Sequence, residues 1–182
     1  MIWVIGAALW GAAEASFFFI VPDVLLTAAA LRLGLRRALM LCLVAATSAV
    51  LTGVVMWLWA AHDPMMARSA MLRVPAVGPD LLARVHGEFD QGWPRHMLLG
   101  AMTGVPYKLY AVEAGSRHIS LLHFVPVSVI VRLFRFVLTA SLVSAAGTLL
   151  RRLNRPGLVK PLWVATWCLV YLIYFTERFR AS

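Results

Sequence analysis

The feature that most restricts this chain is an apolar run carrying charges that need an answer. Between positions 93 and 136, Lys108, Glu113, Arg132 and Arg135 stand among Trp, Leu, Val, Ile and Phe residues. An arginine near the middle of a membrane-length segment costs about 2.5–3.5 kcal/mol on insertion scales, so Arg132 and Arg135 must face protein or water rather than lipid. Gly104-Val105-Pro106 interrupts the same run, because a proline removes a helical N–H and crowds the preceding turn. Residues 96–115 therefore read as a broken hairpin entering the bilayer, and 119–150 as the spanning helix that follows. On that helix Ser128, Arg132, Arg135 and Thr139 share one face by three- and four-residue spacing, a polar stripe that should point inward.

Composition sets the class. Of 182 residues, 62% are hydrophobic, and the mean hydropathy is +0.81. Soluble domains are apolar for roughly half of their residues even with glycine counted. This predicts an all-α integral membrane protein forming a single membrane domain over residues 1–182. The formal charge of +9 does not signal a nucleic-acid partner, because the basic residues are scattered at the ends of apolar runs. Retention of basic loops in the cytoplasm accounts for that distribution. Cys42 and Cys168 lie inside apolar segments and read as free thiols behaving like small buried hydrophobes.

In chain order, residues 1–31 are apolar except for Glu14 and Asp23, with Arg32 just beyond. No basic residue precedes the run and two carboxylates interrupt it, which argues against a signal peptide. Pro22-Asp23 breaks it, so a re-entrant hairpin turning between Phe19 and Asp23 is expected in place of a kinked spanning helix. Arg32, Arg36 and Arg37 form a short basic loop, and residues 38–61 read as a spanning helix with Thr47, Ser48 and Gly53 as close-packing positions. Residues 62–95 form a connector. Within it Leu81, Leu82, Val85 and Phe89 recur at helical spacing, predicting an interfacial amphipathic helix opened by Pro79-Asp80 and closed by Gly92. Arg151, Arg152, Arg155 and Lys160 make a second basic loop, and residues 161–176 a last spanning helix. Trp163, Trp167, Tyr171 and Tyr174 suit interfacial or packing roles there.

Loop charge bears on topology. If residues 96–115 turn back, both basic loops share the cytoplasmic side; if they cross, one falls outside. The rule favours the re-entrant reading, although Arg178 and Arg180 are then external. With one crossing between them, the two hairpins enter from opposite faces, as in an inverted repeat with a site at the midplane. The expected architecture is two facing hairpins, about three spanning helices and one interfacial helix.

Glu14, Pro22-Asp23 and Val24-Leu25-Leu26, then Gly104-Val105-Pro106, Ala114-Gly115, Phe124 and the run at 132–136, resemble the motifs of the DedA family, also called the VTT or SNARE-associated membrane protein family. The resemblance covers roughly residues 11–140. Lys108 is the nearest base to the position where that family carries an arginine after the hairpin proline, and the first spanning helix retains only Gly53 of its glycine pattern. The resemblance implies a multi-pass protein of the bacterial inner membrane that moves lipids, such as polyprenyl phosphate or phospholipid, between leaflets, with protons as a coupling ion and no cofactor. A homo-oligomer is compatible with it.

The residues carry a chemistry of their own. A lipid phosphate needs cationic partners, and arginine binds phosphate bidentately, so Arg132 and Arg135, with Lys108 and Ser128, form the candidate substrate site. A proton carrier must be a carboxylate whose pKa can rise in apolar surroundings; Glu14, Asp23 and Glu113 are the candidates. Pro22, Gly104 and Pro106 supply the hairpin breaks. Two rival readings stay open. In one, the acids only neutralise the arginines and hold the hairpins in place, or Glu113 simply pairs with Arg117 one turn away. The other is an intramembrane enzyme, for which the five histidines offer no HExxH, no clustered metal-ligand spacing and no Gly-x-Ser-x-Gly elbow. A non-enzymatic transporter is the expectation.

Overall fold

The structure, a computed structural model, describes residues 1–75 and 77–180, with side chains through Thr176. Among the described residues all regular structure is helical: α1 Ile2–Ala15, α2 Asp23–Leu33, α3 Leu35–His62, α4 Pro64–Met71, α5 Pro79–Asp90, α6 Trp93–Thr103, α7 Tyr107–Ser116, α8 Leu121–Arg152 and α9 Val159–Arg180, with a 3-10 turn at Pro156–Leu158. The side chains of Arg178 and Arg180 lie outside the described residues. Three helices are long and apolar enough to cross a membrane: α3, α8 and the segment Pro156–Thr176.

Local chemistry explains the ends. Pro64 and Pro79 occupy first-turn positions where no N–H is needed, and the Asp63 carboxylate accepts from the Met66 amide at 2.9 Å. Gly104 closes α6 in the left-handed region, at φ +84, before Val105-Pro106 forces the chain to restart as α7. The basic loop expected at 32–37 shrinks to Gly34, so Arg36 and Arg37 belong to the first turn of α3. The first break opens earlier than expected, at Ser16, and α4 is an additional helix within the connector.

The first two helices run in opposite directions. The Trp10 indole donates to the Ile20 carbonyl at 2.8 Å, and a Cβ on Gly6 would stand 3.1 Å from Leu25. Helices α6 and α7 do the same around Gly104: the Tyr110 hydroxyl returns to within 2.9 Å of the His96 carbonyl oxygen. Helix α3 threads between these pairs. The Ser48 hydroxyl donates to the Ala8 carbonyl at 2.6 Å, while Gly53 leaves the room that the Tyr107 hydroxyl fills; a Cβ there would overlap it.

Two apolar cores result. One joins α1, α2 and the first half of α3 to Phe136 and Ala140 of α8; the other joins the later part of α3 to α4, α5, α6, α7 and Phe124. The amphipathic helix α5 lays Leu81, Val85 and Phe89 into protein. Cys42 is buried as anticipated and Cys168 is exposed on α9; both are free thiols. The two basic loops stand at one end of the bundle, because the Arg151 guanidinium donates to the Leu31 carbonyl at 2.8 Å.

Candidate functional site

The polar stripe of α8 faces inward. Ser128 and Arg132 are buried, and the guanidinium of Arg132 forms an ion pair with Glu14, which α1 carries on its last turn. Tyr107 and Phe136 lie against the same guanidinium, each with its ring centroid 4.8 Å from the central carbon. The quadrupoles of two aromatic faces attract the guanidinium from either side. One turn on, Arg135 stands 3.2 Å from an oxygen of the buried Asp23, and Thr139 donates 2.8 Å to the other. The stripe thus meets both carboxylates of the first helix pair.

The second pair arrives from the other side. Tyr107 and Lys108 begin α7 directly after the Gly-Val-Pro break. Lys108 is buried, its Nζ donates 2.7 Å to the Phe18 carbonyl, and it makes no ion pair among the described residues. A backbone oxygen freed by the first break therefore receives the cation placed by the second. That contact joins the two breaks at the level of Arg132. The sequence-derived candidates Glu14, Asp23, Lys108, Ser128, Arg132 and Arg135 accordingly fall in one region, with Pro22 and Pro106 beside it; Pro22 is itself fully buried. Among these groups Arg132 Nε is buried without a hydrogen-bond partner, and Asp23 Oδ2 has only its ion pair with Arg135.

Glu113 belongs elsewhere. It lies at the far end of α7 and accepts from Arg117 at 2.7 Å and Arg68 at 2.9 Å, with His86 Nδ1 at 2.7 Å. Arg117 reaches on to Asp90 at 2.5 Å and to the His86 carbonyl at 2.7 Å. Burial pushes the Glu113 carboxyl up, but hydrogen bonds from Arg117, His86 and Arg68 outweigh it and hold the group below the usual carboxylate range. Asp90, on the exposed side of the cluster, is also held low by its hydrogen bond from Arg117. This cluster, with the Tyr110 hydroxyl donating 2.6 Å to Glu88, fastens α7 to the connector. The pairing with Arg117 read from sequence is present, as part of a network with two further partners.

Sequence reasoning missed Tyr107, Phe136, Arg68, His86 and the role of Thr27. The position of Tyr107 next to the Gly-Val-Pro break was a usable signal; Arg68 and His86 sit in the connector and gave none. The Thr27 hydroxyl receives the indoles of Trp163 at 2.9 Å and Trp167 at 3.2 Å, and Tyr171 receives the Val21 amide at 3.0 Å. The aromatic residues of α9 therefore satisfy the polar groups that the first break exposes.

Fold and site together define an all-helical protein of membrane type with a buried charged centre where two helix breaks meet. Comparison with known protein families, with curated proteins and with solved structures finds no match to this chain.

Proposed function

We propose that the chain is a DedA-like transporter of the bacterial inner membrane that moves a lipid or lipid-linked phosphate, such as polyprenyl phosphate or a phospholipid, between leaflets. In this reading the pairs α1–α2 and α6–α7 are re-entrant hairpins related as an inverted repeat, and their meeting point is the midplane site. The observation that carries it is the charge balance at that point: Arg132, Arg135 and Lys108 face only Glu14 and Asp23, so the buried centre holds one cation more than it has carboxylates. A buried centre with a surplus cation is suited to an anionic head group. Arginine offers a phosphate two parallel N–H donors, and protonation of Glu14 or Asp23 would free a guanidinium for it, which is how proton coupling enters.

A structural role is the second reading, favoured by the pairing of each arginine with its own acid. Labelled lipid in proteoliposomes separates the cases. Exchange of the label between leaflets supports transport, chemical conversion of the lipid indicates an enzyme, and neither outcome favours assembly or structure.

A further inference from the structure

A groove at the basic end of the bundle takes no part in the contacts described above. It has a volume of about 380 Å³, walled by Leu35 at the start of α3 and by Ser141, Ser144, Thr148, Leu149 and Arg152 of α8. Ser141, Ser144, Thr148 and Arg152 follow one another at three- and four-residue intervals and so share a helix face. From Ser141 to Arg152 the face runs about 16 Å, roughly half of a hydrocarbon core of about 30 Å. Three hydroxyls and one guanidinium thus line a groove whose other walls, Leu35, Ala145 and Leu149, are apolar, where an outward face of a spanning helix would ordinarily be apolar throughout.

The charge around its mouth is one-sided. Arg32, Arg36, Arg37, Arg151, Arg152, Arg155 and Lys160 gather at this end, while the sequence has no Asp or Glu between positions 24 and 62 or between 114 and 176. Every ion pair among the described residues lies elsewhere. Arg151 is engaged with the Leu31 carbonyl, which leaves Arg152 as the cation that lines the groove.

We propose that this groove binds one anionic glycerophospholipid from the leaflet on the basic side. Helix side chains lean towards the N-terminus, so Arg152 leans back along the groove, where its planar fork matches a phosphate. The Thr148 hydroxyl is occupied by the Ser144 carbonyl at 2.9 Å. Ser141 and Ser144 keep their hydroxyls for the ester carbonyls below the phosphate, and Leu35 and Leu149 offer an apolar wall to an acyl chain. A zwitterionic lipid brings the same phosphate with a cation that the uncompensated arginines repel. The site is independent of the transport reading: it needs only that this end of α8 lies at a lipid leaflet.

Native mass spectrometry of the purified full-length protein in detergent, titrated with phosphatidylglycerol or phosphatidylcholine, tests it. Wild type should retain phosphatidylglycerol in preference to phosphatidylcholine. Arg152→Gln should lower that retention about tenfold, and Ser144→Ala several-fold. Arg155→Gln, an equal loss of charge outside the groove, should leave it nearly unchanged. Equal losses in Arg155→Gln and Arg152→Gln would mean diffuse charge attraction and overturn the site. So would unchanged binding in Arg152→Gln, competition by inorganic phosphate as effective as by lipid, or retention confined to a dimer that the Ser144→Ala variant dissociates. Arg152 is exposed, so its replacement leaves the packed core untouched.

Discussion

The guanidinium of Arg132 is held by the carboxylate of Glu14, a partner 118 positions earlier in the chain. Both are almost fully removed from solvent, so neither charge can be satisfied by water if the other is lost. Breaking such a pair from one side typically costs about 3–5 kcal/mol, whereas removing both charges is far milder. Glu14→Gln and Arg132→Gln should each lower the thermal midpoint markedly, and the double variant should be more stable than the sum of the two predicts. Additive losses in a double-mutant cycle would show that the two residues do not act as a pair.

Arg135 is less enclosed, and its ion pair with Asp23 is looser, at 3.2 Å. Arg135→Lys should therefore preserve the charge and the fold, and on the proposed transport reading it should weaken lipid-phosphate transport, because lysine replaces a planar fork by a point charge. The proposed proton coupling makes a separate forecast: if leaflet exchange depends on pH, Glu14→Gln or Asp23→Asn should flatten that dependence. Wild-type leaflet exchange by stable Arg132→Gln and Arg135→Gln variants would refute a substrate role for the stripe.

The Glu113 cluster makes a pH forecast of its own. Its carboxyl is held low in the folded protein, so its contribution is present above the unfolded value near 4.5 and disappears as pH falls through the depressed folded value. Acidification through that window should loosen α7 from α4 and α5. The stability difference between wild type and Glu113→Gln should shrink towards acid, as followed by hydrogen exchange in 79–90 and 107–116.

Topology can be checked by labelling. In a background without Cys42 and Cys168, single cysteines at Arg36 and Arg155 should react from the same side of the membrane, and one at Asp80 from the opposite side. Reaction of the first two from opposite sides would exclude the paired-hairpin arrangement.

Much of this protein could be read along the chain. Apolar length alone marks the spanning helices, since the hydrocarbon core must be crossed by about 20 residues with their backbone groups satisfied internally. Pro22 and Gly104-Val105-Pro106 mark the breaks through local backbone chemistry, and three- and four-residue spacing puts Ser128, Arg132, Arg135 and Thr139 on one face before any neighbour is known. The partners on that face were beyond reach. Glu14, Asp23 and Glu113 are equivalent as isolated carboxylates, and only packing sends the first to Arg132, the second to Arg135 and the third to a cluster with Arg68, His86 and Arg117. The meeting of Lys108 with the Phe18 carbonyl, 90 positions away, belongs to the same category. Periodicity reports which side of a helix is polar; which charge it meets depends on how α3 separates the two helix pairs, and that is decided by close contacts such as Gly53 against Tyr107, where space in three dimensions, not position in the chain, selects the neighbour.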